Sequence, residues 1–175
     1  MNKRLDRKFF ERKTLVVARD LIGKLLVRKI GPTIYRAQIT ETEAYFGPND
    51  LASHASKGLT PRTKPMFGPA GYSYVYLIYG MYHCLNVVTE KAGYPAAVLI
   101  RGVMLEKHHD GPGKLCRELK IDKKLNEIDM TTNKELWFED DGAKIGRIKK
   151  TPRIRVDYAG EYKDKPWRFV LESNK

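Results

Sequence analysis

Thirteen residues, Thr33–Tyr45, constrain the fold more than any other stretch of this chain: rich in β-branched and aromatic side chains, without Gly or Pro, they read as one long strand. Lys24–Ile30 reads as a strand before it, with Gly31-Pro32 as the turn between them. The long strand then runs into Phe46–Gly71, 26 residues punctuated by Gly47-Pro48, Thr60-Pro61 and Gly68-Pro69. Connections of that length in a compact domain are usually functional. Beyond it, Tyr72–Ile78 and His83–Thr89 read as strands around a Tyr79-Gly80-Met81-Tyr82 turn, and Ala96–Met104 as an apolar strand. Leu136–Phe138, Ala143–Val156 and Trp167–Glu172 read as further extended segments, and 121–135 as irregular. Helical signals are sparse. Thr14 is placed to cap a helix carrying Leu15, Ala18, Leu21 and Ile22 and stopped by Gly23. Gly111-Pro112-Gly113 opens a second, Lys114–Lys120. The pattern predicts an α+β fold: one mixed domain over 1–175, a mainly antiparallel sheet flanked by helices.

Charge narrows the function. The chain has 175 residues and a net charge of +12, a field that draws polyanions: DNA, RNA or an anionic surface. Residues 1–40 carry eleven Lys and Arg against three acids, and 141–175 carry ten against five. Residues 41–60 reverse the sign, with Glu41, Glu43 and Asp50 against Lys57 alone. A polyanion repels carboxylates, so an acidic island in a basic protein either faces away or does chemistry. Aromatic and apolar content argue against disorder. No run approaches the 18 apolar residues of a membrane span, and the basic N-terminus lacks the apolar core of a secretory signal, so a cytoplasmic protein is expected. Cys84 and Cys116 are expected to be reduced thiols.

Three groups of residues carry candidate chemistry. In Ile39–Tyr45, strand alternation places Glu41, Glu43 and Tyr45 on one face and Thr40, Thr42 and Ala44 on the other. The two carboxylates then lie roughly 7 Å apart, and their repulsion is expected to raise one pKa toward a usable base. In Tyr72–Tyr82, Tyr72, Tyr74 and Tyr76 share a face, while the glycine-centred turn pushes Tyr79, Met81 and Tyr82 outward on a rigid finger. Exposed aromatic and thioether groups on a basic protein suit insertion between bases. His54 lies in the long loop. His108-His109-Asp110 makes a poor metal site, because adjacent histidines point to different sides and no further ligand spacing completes the set. No phosphate loop, dinucleotide fingerprint or nucleophile elbow is present.

Taken together these residues resemble the alkylpurine (3-methyladenine) DNA glycosylase family, of the alkyladenine-glycosylase type. The likeness runs through Ala18–Val27, Glu41-Thr42-Glu43-Ala44-Tyr45, Thr60-Pro61-Arg62, Tyr74-Val75-Tyr76, Tyr79–Tyr82, Cys84-Leu85-Asn86, Leu99-Ile100-Arg101, Gly111–Cys116, Thr151–Ile154 and Lys165–Phe169. It implies a single domain with a curved antiparallel sheet, acting in base-excision repair. Such a protein flips a damaged purine, alkylated or deaminated, such as 3-methyladenine or hypoxanthine, out of duplex DNA and hydrolyses its N-glycosidic bond. By position, the resemblance makes Glu43 the base that activates water and Arg101 the residue holding water and sugar-phosphate. Tyr45, His54 and Tyr76 become the groups around the flipped base, and Asn86 the residue that discriminates against guanine. Tyr79 becomes the gap-filling side chain, with Met81 and Tyr82 beside it in the minor groove, and Arg62 and Lys114 contacts to the DNA backbone. A monomer is implied. No metal, organic cofactor or lyase lysine is, and no general acid is named. Arg155 departs from the family pattern, which commonly has glycine there. A non-catalytic nucleic-acid-binding module and an RNA-acting relative are the rival readings; a catalytic carboxylate and a duplex-inserting tyrosine weigh against them.

Overall fold

The structure is a computed structural model and describes residues 2–172. In chain order it contains β1 (Lys3–Arg4), α1 (Arg7–Phe10), α2 (Thr14–Asp20), β2 (Leu25–Ile30), β3 (Thr33–Phe46), β4 (Ser73–Ile78), β5 (Tyr82–Val88), β6 (Ala96–Met104), β7 (His108–Asp110), α3 (Pro112–Glu118), β8 (Leu136–Asp140), β9 (Ile148–Thr151) and β10 (Arg168–Leu171). The ten strands form one sheet in the order β1-β8-β2-β3-β6-β5-β4. β10 pairs with β3, β9 with β10 and β7 with β6. Every pairing is antiparallel, as the short connections predict.

β3 is the spine. β2 pairs with its first half and β10 with Glu41–Glu43, while β6 runs along the opposite edge from Gln38 onward. The β3–β6 ladder breaks around Thr40–Glu41. Before the break the buried, core-facing residues are odd-numbered, Ala37 and Ile39; after it they are even-numbered, Thr42 and Ala44. A regular strand cannot change parity, so this irregularity lets one strand feed the core and then present its carboxylates on the other face. It also corrects the expectation for Thr40, which leaves the side of Thr42 and Ala44. Its Oγ1 lies 3.0 Å from His108 Nε2, whereas Thr42 Oγ1 donates to the Ala18 carbonyl. Gly102 sits opposite Glu41, where a Cβ would meet Thr40 Oγ1 at 2.9 Å and Glu41 Cβ at 3.1 Å, so the crossing admits only glycine.

One sheet face carries the main core. Leu26, Ile39, Leu85, Ile100 and Phe138 pack there with Phe10 of α1, Val17 and Ala18 of α2 and Leu115 of α3. Thr14 does not cap α2 as expected. Lys13 occupies that position, and the Thr14 N–H and hydroxyl both donate to the Glu90 carboxylate, at 3.0 and 2.6 Å. The loop after β3 is not structureless: 3-10 turns at His54–Lys57 and Lys64–Phe67 fold it over the other sheet face, with Ala55 and Met66 packed on Tyr74, Val88 and Ala97. Of the expected extended segment Ala143–Val156, only Ile148–Thr151 is strand.

Candidate active site

Register brings the strand-borne site side chains together. Directly opposed residues of antiparallel strands face the same way. Glu43 opposes Leu99 on β6 and Arg168 on β10, Leu99 opposes Asn86, Asn86 opposes Tyr74, and Cys84 opposes Tyr76. Counting by twos from these pairs puts Tyr45, Arg101 and Tyr82 on the same face. They border a cleft of about 660 Å³ that is also lined by His54 from the long loop and by Ile154, Arg155, Val156 and Tyr158 after β9. Of the residues singled out from the sequence, Glu43, Tyr45, His54, Tyr76, Tyr79, Tyr82, Asn86, Arg101 and Lys114 line this cleft; Arg62 and Met81 do not.

Glu43 lies at its base, fully buried. Tyr45 Oη donates to its Oε2 at 2.7 Å, the Ile154 N–H donates to Oε1 at 2.8 Å, and Arg101 Nε lies 3.5 Å from Oε1. Burial pushes the Glu43 carboxyl above its ordinary value. The Arg101 charge and the two hydrogen bonds pull it back without cancelling burial. The expected cause was repulsion from Glu41, which makes the smallest contribution. Glu41 is itself neutralised: its Oε1 accepts from Arg101 Nε at 2.8 Å and from Arg168 Nε at 2.6 Å. For Arg101, burial works against the charge, but Glu43 and Glu41 together outweigh it and raise its pKa.

The aromatic wall is built from β4 and the loop. The Tyr74 and Tyr76 rings lie 5.2 Å apart, and the His54 ring stands edge-on to Tyr76 at 4.6 Å. His54 Nδ1 lies 3.0 Å from Tyr74 Oη. Burial, then the charges of Arg62 and Lys57, lower the His54 pKa to about 4, so the ring is neutral at physiological pH. Tyr45 and Tyr76 are both raised, first by burial, so both phenols stay protonated donors. Asn86 is buried and donates to the Tyr74 carbonyl at 3.0 Å. The Arg62 guanidinium lies 5.5 Å from the centre of the Tyr76 ring, so it flanks the aromatic wall. The β4–β5 hairpin carries Tyr79 and Met81 at its tip, 68 % and 66 % exposed. Tyr79 and Gly80 both have positive φ within the three-residue turn, Tyr79–Met81, that joins the paired residues Ile78 and Tyr82. Lys114 pairs with Asp110 at 2.7 Å on the rim.

Several contributors escaped the sequence reading. Asp50 and Arg153 form a two-pronged ion pair, at 2.7 and 2.8 Å, with both side chains fully buried. The Arg153 guanidinium is packed between Tyr45 and Trp167 and donates to the Ala44 carbonyl. This pair ties the long loop and the 153–158 turn to β3, which is how the Ile154 N–H reaches Glu43. The sequence signals are Asp50 in the acidic island and Arg153 in the Thr151–Ile154 stretch of the likeness, and neither indicates the pairing. Cys84 also lines the cleft. Arg155 borders it too, exposed and in a left-handed backbone conformation (φ 59°) that suits the glycine of the family pattern.

Comparison with known proteins places this geometry in context. The family model described as methylpurine-DNA glycosylase matches residues 8–175. A protein of Methanocella arvoryzae is 53 % identical over 182 residues, covering 94 % of this chain and 90 % of the relative. A Legionella pneumophila (strain Lens) protein is 49 % identical, covering 98 % of this chain and 96 % of its own, and one from Sodalis glossinidius is 51 % identical, with 96 % of each covered. All three are provisionally named 3-methyladenine DNA glycosylases.

Proposed function

Because this chain belongs to the methylpurine-DNA glycosylase family, and so is a hydrolase of N-glycosyl bonds in DNA repair, we propose that it acts on duplex DNA by flipping an alkylated purine into the cleft and releasing it with Glu43 as the base. The observation that carries this reading is the buried Glu43 carboxylate. It is oriented by Tyr45 and Ile154 beneath an aromatic-walled cleft large enough for a small-molecule ligand.

The chemistry follows from the groups present. Water bound between Glu43 and Arg101 gives a proton to the carboxylate while its oxygen bonds to C1′. The C1′–N bond breaks and its electron pair leaves with the base. A purine made cationic by alkylation departs neutral and needs no acid, and the developing positive charge on the sugar is stabilised by the same carboxylate. The aromatic rings of Tyr45, His54 and Tyr76 favour a cationic base by about 0.5–2 kcal/mol per contact, and Asn86 discriminates against the guanine amino group. His54 is held neutral, so it is not a ready proton source for a neutral leaving base. Tyr79 fills the gap left in the duplex, with Met81 and Tyr82 in the minor groove, and Lys114 and Arg62 hold phosphates. Flipping costs a few kcal/mol, less for a damaged pair. A monomer suffices for this footprint.

The test is base release from duplexes carrying a single 3-methyladenine or a single hypoxanthine. Release of 3-methyladenine leaving an abasic site is expected, and it must disappear in Glu43→Gln while binding to abasic duplex stays within a few-fold. Release at the wild-type rate by that variant removes Glu43 from the reaction. Tight binding without release from any lesion leaves only a binding module. Affinity should fall steeply with salt as phosphates shed counterions.

A further inference from the structure

We propose that Glu41 is a positioning residue that sets the basicity of Glu43 by holding Arg101 away from it, an inference that rests on the reading of Glu43 as the base. One guanidinium nitrogen, Arg101 Nε, is shared unequally: it lies 2.8 Å from Glu41 Oε1 and 3.5 Å from Glu43 Oε1. The closer carboxylate takes the hydrogen bond. A second cation, Arg168, stands in register opposite Glu43 on β10, yet its Nε also turns to Glu41 Oε1, at 2.6 Å. Glu41 thus gathers two arginines that would otherwise pair with Glu43. The strand break at Thr40–Glu41 and the absence of a side chain at Gly102 give the Glu41 carboxylate room to reach both.

The consequence is electrostatic. A carboxylate in a full ion pair with arginine is a weak base, and an opposite charge in contact lowers such a group by about 1–3 pKa units. The remaining groups facing Glu43 are Tyr45 on its own strand, Tyr76 on β4, Cys84 on β5 and Tyr158 on the turn after β9. Tyr45, Tyr76 and Tyr158 have raised pKa values and Cys84 is raised as well, so all four stay uncharged near neutral pH. Beyond burial and the hydrogen bonds from Tyr45 and Ile154, the charges acting on Glu43 among the described residues are Arg101 and Glu41, with Arg168 acting through Glu41.

Two substitutions move the system in opposite directions. Glu41→Gln frees both arginines toward Glu43. The acid limb of single-turnover 3-methyladenine release, spontaneous loss subtracted, should move down by about one pH unit, and the plateau rate should fall at least tenfold. Arg168→Gln leaves Glu41 to hold Arg101 alone and more strongly, so its acid limb should move up, with duplex binding to an abasic site within threefold of wild type. A purely structural ion pair lowers stability in both variants and moves neither limb, and that result overturns the proposal, as does movement of both limbs in one direction. Glu43→Gln run in parallel separates the two readings: if it still releases base, Glu43 and Glu41 fall together. If it is inactive while both limbs stay at the wild-type position, only the role of Glu41 falls.

Discussion

Replacing Asp50 with Asn should cost about 3–5 kcal/mol of folding stability, because it removes one partner of a fully buried ion pair and strands the other. Both side chains are inaccessible, and Arg153 spends two nitrogens on Asp50 at 2.7 and 2.8 Å. Its other partners are the Ala44 carbonyl at 2.9 Å and the Tyr162 carbonyl at 3.3 Å, and its Nε has no partner. Two carbonyls do not neutralise a guanidinium, and the amide of Asn would turn a donor toward a donor. For a chain of this size the loss corresponds to a fall in Tm of about 6–20 °C, at roughly 2–4 °C per kcal/mol. Urea unfolding followed by tryptophan fluorescence measures it directly, since Trp167 stacks on Arg153. Asp20→Asn, which breaks the half-exposed pair with Arg12, is the control and should cost no more than about 1 kcal/mol. If the two losses are equal, the buried pair is not an uncompensated charge once broken. The double replacement Asp50→Leu with Arg153→Met should recover much of the stability, as buried pairs replaced by apolar groups often do. It should not recover base release, because the cation that anchors the 153–158 turn would be gone.

Three further outcomes test separate parts of the structure. Arg155→Gly should stabilise the protein by about 0.5–1 kcal/mol, since φ is 59° there and glycine relieves left-handed strain while adding some unfolded-chain entropy; a loss of stability would mean the side chain makes compensating contacts. Glu43→Gln should stabilise the fold at neutral pH. A carboxyl whose folded pKa is raised favours the folded state while protonated, and that advantage disappears as pH rises from its unfolded value near 4.5 through the folded one. Unfolding curves of the two proteins should therefore converge at acid pH and separate above it, and a constant difference would refute the assignment. Tyr79→Ala should weaken binding to abasic duplex far more than to undamaged duplex in a fluorescence titration; equal losses would make the tip a general packing group.

How much of this was legible in the sequence depended on how local the cause was. The hairpin and its outward Tyr79 follow from a glycine at a turn between alternating strands, and β6 from a mostly apolar run broken only at Arg101-Gly102. The shared face of Glu43 and Tyr45 follows from period two. The strand break at Thr40–Glu41 does not, because it arises from how β3 and β6 fit each other around Gly102 rather than from either strand alone. The Asp50–Arg153 pair joins residues 103 positions apart, and the Thr14–Glu90 bond residues 76 apart. No local pattern registers such distances. The cause of the Glu43 shift is hidden for the same reason: repulsion can be read from neighbouring carboxylates, while burial under a distant turn and capture of Glu41 by Arg101 and Arg168 cannot.

The site exists because one sheet does two jobs. On one face the strands bury Ile39, Ile100 and Leu85 with the helices, and that core makes the backbone rigid. On the other, the same strands hold Glu43, Arg101, Asn86 and Tyr76 at spacings set by register rather than by flexible loops. A charged residue on a strand that was apolar on both faces would face a prohibitive burial cost. Here the long loop and the 153–158 turn close over Glu43 only after supplying the Ile154 N–H and the Arg153 anchor, so the carboxylate is dry yet hydrogen-bonded. A carboxyl that is desolvated yet still hydrogen-bonded requires both conditions, and neither the strand nor the loop provides them alone.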